Sequence, residues 1–303
     1  MQSTGSWYEV LGSDGERWSC RARGKLRLKG DRSTNPVAAG DIVKWEPEDE
    51  DRQEGVVTAI QPRRNAIIRR SVNLSKESHV VAANIDRAFL VVTLSEPATS
   101  TGFVDRFLVT AEAYGVPVTI VFNKMDVTDR EVQAVWEEIY ESAGYPMLRT
   151  SAVTGEGMET LREALAEGGV NLLSGHSGVG KSSLVNGLMP NLALKTAEVS
   201  DTHGKGKHTT TFATLHPLPG GGFLADTPGI KGFGLVHLDR EHLHHYFPEL
   251  FERLPDCKFH NCLHRGEPGC AVRQAVEAGE ISESRYFNYL EMYERFEEVS
   301  VYR

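Results

Sequence analysis

The chain has 303 residues, a formal net charge of −9, 40% hydrophobic and 25% charged residues, enough for two or three domains with well-buried cores. Apolar runs such as Ala88 to Val92 fall far short of the roughly 20 residues that span a bilayer, and Met1 to Ser6 lacks a basic stretch followed by an apolar one, so the expectation is a cytoplasmic protein with no membrane association. The acidic balance excludes a protein that coats nucleic acid over its whole surface, but residues 1–75 hold 13 Lys/Arg against 11 Asp/Glu, a net +2 that leaves −11 for the remainder.

Residues 1–72 read as short strands, Trp7 to Val10, Trp18 to Leu28, Asp41 to Trp45 and Val56 to Ile60, separated by Gly, Asp, Asn and Pro turns. This spacing predicts a small OB-like β-barrel. In the second strand Arg21, Arg23, Lys25, Arg27 and Lys29 alternate with Ala22, Gly24, Leu26 and Leu28. A period of two places the cations on one face, a stripe that suits an RNA phosphate backbone and equally a solvated barrel face. Trp7, Tyr8 and Trp18 could stack on bases or fill the barrel.

After Arg63, Arg64, Arg69 and Arg70 the texture changes. Strand Phe89 to Leu94, helix Phe103 to Tyr114, strand Pro117 to Phe122, helix Glu131 to Ser142, strand Met147 to Thr150 and helix Met158 to Ala166 alternate, predicting an α/β domain over 73–234 with a mainly parallel sheet.

The next strand runs from Val170 into Gly175-His176-Ser177-Gly178-Val179-Gly180-Lys181-Ser182-Ser183, a P-loop opening a helix. Backbone N–H groups there can curl around a polyphosphate at the helix N-terminus. Lys181 would reach the β- and γ-phosphates and Ser182 would ligate Mg²⁺. Asn123-Lys124-Met125-Asp126 selects the nucleotide: the Asp126 carboxylate can accept from guanine N1–H and the exocyclic amine, donors that adenine does not present in that arrangement. Asn123 would brace the neighbouring loops and the Lys124 stem would cover the base. Ser151 and Ala152 end the next strand, where the Ala152 amide can donate to guanine O6. Both motifs lie at strand C-termini, the sheet edge at which ligands bind. Downstream, Phe223-Leu-Ala-Asp-Thr-Pro-Gly229 would hold Mg²⁺ through water at Asp226 and sense the γ-phosphate at the Gly229 amide. Between them, Thr210, or else Thr211, would complete the Mg²⁺ shell and order its loop in the GTP state.

From residue 235 the chain reads as helical to 303, interrupted by Cys257, Cys262, His264 and Cys270. Three thiols and one imidazole match a closed tetrahedral structural zinc site; disulfides using Cys20 as the fourth partner are the competing reading, disfavoured in a cytosolic P-loop protein. His237, His242, His244 and His245 cluster without thiols or carboxylates at fitting spacing and read as a surface or packed helix. Ser282 caps a last helix to about Val299, with Tyr286, Phe287, Leu290, Tyr293 and Phe296 as its apolar face.

The base-reading motifs precede the P-loop, the reverse of the usual GTPase order, so the domain is circularly permuted. With the barrel before it and the cysteine cluster after it, the chain resembles the ribosome small-subunit-dependent GTPase A family (RsgA, also called YjeQ or YloQ). The family's Gly-Arg-His-Thr-Thr-Thr stands here as Gly206-Lys207-His208-Thr209-Thr210-Thr211, which keeps the charge of Arg but not its planar fork. The position after the Asp-x-x-Gly motif, where Ras-like enzymes place a water-orienting Gln, is Ile230. His208 is the nearest polar candidate for that task and matches the histidine to which the family's catalytic role is ascribed, acting with Lys181 and Thr210. The resemblance implies a monomeric GTP phosphohydrolase, cycling between GTP and GDP, that binds the small ribosomal subunit and its rRNA late in maturation. The alternative is a GTP-gated adaptor for another RNA or protein.

Overall fold

A computed structural model describes residues 2–3, 7–24, 36–70, 78–189, 213–226 and 238–296. In chain order its elements are β1 (Gln2–Ser3), β2 (Trp7–Leu11), β3 (Arg17–Ala22), β4 (Val43–Asp49), β5 (Glu54–Ile60), β6 (Ala66–Arg70), β7 (Ser78–Ala83), β8 (Arg87–Val92), α1 (Thr101–Ala113), β9 (Val118–Phe122), α2 (Arg130–Glu141), β10 (Met147–Arg149), α3 (Met158–Ala166), β11 (Val170–Ser174), α4 (Lys181–Leu188), β12 (Thr214–Pro217), β13 (Phe223–Asp226), α5 (Pro248–Arg253), α6 (Ala271–Glu277) and α7 (Glu283–Glu294). They fall into two compact units. The first takes the described residues of Met1–Arg87, Arg162–Ser174 and Ser182–Ile230, and the second those of Ala88–Leu161, Gly175–Lys181 and Lys231–Arg303.

In the first unit β11 and β13 run parallel, so Ser174 and Asp226 end at the same sheet edge. β12 is antiparallel to β13 and also to β1, where Gln2 pairs with Thr214. Gln2 pairs on its other side with Glu9 of β2, so this two-residue strand stitches the N-terminal strands to the α/β sheet. Beyond it β2 and β3 are antiparallel, β3 and β5 parallel, and β4 and β5 antiparallel. Alternation along β2 turns Tyr8 and Val10 inward. With Cys20, Val37 and Val57 they form the N-terminal core, and Trp18 and Trp45 pack against it with ring centroids 4.7 Å apart. Tyr8 and Trp18 are therefore core residues rather than base-stacking platforms. A buried bidentate pair, Arg63 Nε to Asp41 Oδ1 at 2.7 Å and Nη2 to Oδ2 at 2.8 Å, holds the turn before β4.

The basic strand differs from expectation. β3 ends at Ala22, and Lys25, Arg27 and Lys29 lie outside the described residues. Arg21 bonds Glu48 at 2.8 Å and stands over the Trp7 ring, while Arg23 lies 3.7 Å from Glu46. The alternation on β3 did not reveal that β4 presents carboxylates to the same cations. Exposed ion pairs of this kind add little net stability, because water and salt screen them, so a phosphate could replace either carboxylate at little cost.

The second unit contains the parallel strands β10, β9 and β8, with Ile120 of β9 opposite both Met147 and Leu90. β8 and β9 are almost wholly buried, as strands of a parallel sheet covered on both faces are. Ser100 caps α1 by accepting from the Phe103 N–H, and Asp129 caps α2. Leu243, Phe247, Leu250, Val272, Ile281, Tyr289 and Met292 form a C-terminal core that includes Val109 of α1.

A buried cation joins these parts. Arg285 on α7 is 1% exposed; its guanidinium donates to both carboxylate oxygens of Glu249 on α5, at 2.7 and 3.0 Å, and to Asp105 on α1 at 2.7 Å. Asn288 Nδ2 donates to the other Asp105 oxygen at 2.6 Å. Burial opposes the charge on Arg285, but the two carboxylates outweigh it and hold the guanidinium protonated. The inner face of α7 meets expectation at Tyr293 and, just beyond the helix, at Phe296, both buried, and departs from it at Phe287. The buried face of the helix is Arg285, Asn288, Tyr289, Met292 and Tyr293, Tyr286 and Leu290 pack at the edge, and Phe287 is 65% exposed. Ser282 occupies the N-cap position, but its hydroxyl bonds Ser284 Oγ rather than a backbone N–H, and Val299 lies outside the described residues.

Arg285→Met should strand two buried carboxylates and destabilise the C-terminal helices by about 3–5 kcal/mol. Native-state hydrogen exchange should show the loss in α1, α5 and α7 with β2–β5 unaffected; undiminished protection there would contradict a stabilising network.

Candidate nucleotide and metal sites

β9 ends in Phe122 and delivers Asn123, which is 1% exposed. Its Nδ2 donates to the Val179 carbonyl in the P-loop at 2.8 Å, and its Oδ1 accepts from Thr150 Oγ1 at 3.1 Å. One amide thus ties the ends of β9 and β10 to the phosphate-type loop. Lys124 has φ +62°, a left-handed turn that reverses the chain so that Met125 is buried and Asp126 exposed. Lys124 Nζ donates to the Glu96 carbonyl at 2.7 Å. Asp126 Oδ1 accepts from the buried Ser151 hydroxyl at 2.6 Å. Ser151 Oγ in turn accepts from the Thr154 N–H at 3.1 Å, so the serine orients the carboxylate and shapes the following turn. Ala152 sits half-buried in that turn.

The P-loop depends on glycine at two close approaches. At Gly175, φ +144°, a Cβ would collide with the Val91 carbonyl, and at Gly180, φ +93°, with the Asn123 amide nitrogen. Only a residue without a side chain leaves the backbone N–H groups free to line a concave turn. Val179 is fully buried, whereas Ser177 and Gly178 are exposed at the tip. Lys181 Nζ donates to the carbonyls of Gly175 and His176, at 2.6 and 2.7 Å, lying across the loop's mouth. Ser182 and Ser183 follow in the first turn of α4, and Asp226 ends β13. His208, Thr210, Thr211 and Gly229 lie outside the described residues.

Contacts on His176 were not foreseen from sequence. Its Nε2 is 2.8 Å from Thr99 Oγ1, its Nδ1 is 2.9 Å from the Ser177 carbonyl, and the ring meets Phe103 edge-on at 5.6 Å. A carbonyl only accepts, so Nδ1 carries a proton towards Ser177. No sequence signal marked Thr99 or Phe103, since the contact spans 77 positions. Thr150 was legible only as the end of a strand.

The second site is compact. The ligating atoms of Cys257, Cys262, His264 and Cys270 all lie within 4.8 Å of one another. Together they could hold a metal ion. All four cysteines are free thiols, and Cys20 is buried in the N-terminal core, so no disulfide competes. Helix α6 starts at this point, with the Ala271 N–H donating to Cys257 Sγ at 3.4 Å and the Arg273 N–H to Cys270 Sγ at 3.5 Å, polarity that favours thiolates. Burial first, and then the neighbouring Cys270 and Cys257 sulfurs, push the Cys262 thiol up to about 12, so thiolate ligands here call for a cation beside them. His264 occupies a left-handed turn with φ +58°, and burial holds it down to about 4, a neutral ligand at physiological pH. Burial also opposes ionisation of Glu267, but the N–H groups of Glu267, Leu263, Gly266 and Arg265 outweigh it and bring the carboxyl down to about 2. Tyr286 and Tyr289 hydroxyls pin the carbonyls of His264 and Leu263, each at 2.6 Å. Among the described residues this is the one group with metal-ligating geometry. His237 lies outside the described residues; His242, His244 and His245 pack ring against ring on a 3₁₀ segment, in keeping with a packed helical segment.

A glycine-lined P-loop clasped by a guanine-type Asn-Lys-x-Asp turn that precedes it in the chain defines a circularly permuted P-loop GTPase. The chain belongs to the RsgA GTPase family: residues 60–236 match that family's profile and residues 1–57 match the RsgA N-terminal domain. The small ribosomal subunit biogenesis GTPase RsgA of Bacteroides fragilis is 54% identical, covering 98% of this chain and 96% of its own, and the protein of the same name from Christiangramia forsetii is 50% identical, covering 97% and 94%. Among solved structures, YjeQ from Thermotoga maritima is similar with a TM-score of 0.77 at 37% identity, covering 99% of this chain and 96% of its own. YloQ, described as a circularly permuted GTPase, has a TM-score of 0.72 at 30% identity, covering 98% and 93%. No described helix is long and apolar enough to cross a membrane.

Asn123→Ala removes two buried hydrogen bonds and leaves the Val179 carbonyl unpaired, a cost of about 1–3 kcal/mol. GTP and GDP affinities should fall together, on the order of tenfold or more, in equilibrium titrations. A loss confined to one nucleotide would contradict a role in joining base and phosphate loops.

Proposed function

We propose that this GTPase acts in biogenesis of the small ribosomal subunit, binding the subunit and its rRNA as a cytoplasmic monomer and hydrolysing GTP when the subunit is bound. The observation that carries its GTPase part is the Asn123 to Val179 hydrogen bond, which unites base and phosphate motifs in permuted order. The relatives named for small-subunit biogenesis extend over nearly the whole chain and so support the same assignment. The parts divide as an RNA-binding barrel over 1–72, a GTPase domain over 73–234 and a helical metal-binding module over 235–303.

In this reading the amides of Gly175 to Lys181 surround the phosphates, and Lys181 leaves its two carbonyl partners for the β- and γ-phosphates. Ser182 and Thr210 ligate Mg²⁺, Asp226 holds it through water and the Gly229 amide meets the γ-phosphate. Asp126, held by Ser151, reads the guanine donors while the Ala152 amide meets O6. Because Ile230 cannot orient water, His208 takes that role. The metal is zinc, for which three thiolates and an imidazole form a closed structural set.

Hydrolysis measured with purified small subunits should exceed the intrinsic rate, with large subunits as the control; equal rates would overturn the ribosomal assignment. His208→Ala should lose the stimulated rate with nucleotide affinity intact. Asp126→Asn should shift preference from GTP towards xanthosine triphosphate, and unchanged discrimination would remove Asp126 from the base site. Neutralising Arg21 and Arg23 together should weaken subunit binding and flatten its salt dependence by about one unit of slope per lost phosphate contact, read by titration at several salt concentrations.

A further inference from the structure

Behind the Cys₃His cluster two ring nitrogens are buried without a hydrogen-bond partner, Nε2 of His264 and Nδ1 of His244. His264 is fully buried and His244 is 5% exposed. Their rings meet edge to face, 84° apart in plane and 5.1 Å between centroids. A buried polar group is nearly always paired, so two neighbouring orphans call for a common explanation.

The ligand geometry supplies one. His264 Nδ1 faces the sulfurs of Cys270 at 3.4 Å and Cys257 at 3.7 Å, so Nδ1 is the nitrogen turned towards a metal. A neutral imidazole that offers its Nδ1 lone pair carries its proton on Nε2. That N–H points away from the cluster and requires an acceptor. His244 Nδ1 likewise faces no partner, and with the ring proton on Nε2 it is an acceptor; its ring plane turns about a broad terminal torsion. The segment bearing it is fixed independently, by the Asp239 cap and by Arg240 Nε donating to the Tyr293 carbonyl at 2.8 Å.

We infer that His244 is the outer hydrogen-bond partner of the metal-binding imidazole, Nε2–H of His264 donating to Nδ1 of His244. The bond sets the tautomer and ring plane of His264 and strengthens it as a ligand. It extends the metal site to a segment twenty positions earlier in the chain and gives a buried histidine among packed neighbours a chemical task. The inference rests on the metal reading above.

The full chain and two variants, His244→Phe and His244→Asn, test it by zinc competition against a chromophoric chelator. His244→Phe fills the space without an acceptor and should bind zinc about 10- to 100-fold more weakly. His244→Asn is smaller but returns an oxygen near the Nδ1 position, and should stay close to the parent chain. A packing role predicts the reverse order, since Phe fills the site better than Asn. In the zinc-loaded parent, long-range proton–nitrogen spectra should show a slowly exchanging Nε2–H on His264 that His244→Phe loses. Equal zinc affinity in the parent and His244→Phe, or equally weak binding in both variants, overturns the inference while the metal site stands. A parent chain that binds no zinc removes the metal reading and this inference with it.

Discussion

The candidate nucleotide site turns on the side-chain amide of Asn123. It is a buried polar group and must be satisfied at both ends. Its nitrogen finds the Val179 carbonyl and its oxygen the Thr150 hydroxyl, so three separate loops are held in one register. Gly180 has no side chain because the same amide lies against it, and the serine that follows Thr150 orients Asp126. Permutation of the chain leaves this arrangement intact. A hydrogen bond depends on where strand ends meet in space and is indifferent to which of them is synthesised first.

Helix α1 carries two different connections. Before its start Thr99, and in its first turn Phe103, touch His176 of the P-loop. Shortly after Phe103 on the same helix, Asp105 receives Arg285 and Asn288 from α7. The helix is thus braced at the phosphate-type loop and at the C-terminal core close to its N-terminal end. Against apolar replacement of all its members a buried ion network of this kind contributes little net stability, but removing one member strands the others, and any geometry that separates them is penalised. It therefore specifies the seating of α5 and α7 on α1 more than it strengthens it.

The metal loop follows a similar logic on a smaller scale. Glu267 gathers three backbone N–H groups besides its own, two tyrosine hydroxyls fix neighbouring carbonyls, and the first turn of α6 faces two sulfurs. These bonds place the four ligands together through the protein's own contacts. They lower the ordering cost that a metal would otherwise have to offset.

Much of this was legible in the residues alone. The P-loop, the Asn-Lys-Met-Asp turn, the Ser151 turn and the Cys₃His spacing are local patterns, and each strand or helix that bears them follows from hydrophobic period and glycine placement over a few residues. The helix Met158–Ala166 and the strands feeding the motifs lie where periodicity put them. Non-local pairing was not legible. Asp105 and Arg285 are 180 positions apart, and an apolar count treats Arg285 as surface, so periodicity alone places Phe287 on the inner face of α7, where the structure leaves it exposed. The carboxylates of β4 beside Arg21 and Arg23 belong to another strand, and alternation along β3 cannot register them. Sequence by itself determined which chemical groups the chain has and the local turns that present them, because those depend on neighbouring residues. Only the tertiary structure decided which buried donors meet which acceptors, because that depends on how surfaces distant in the chain come to face one another.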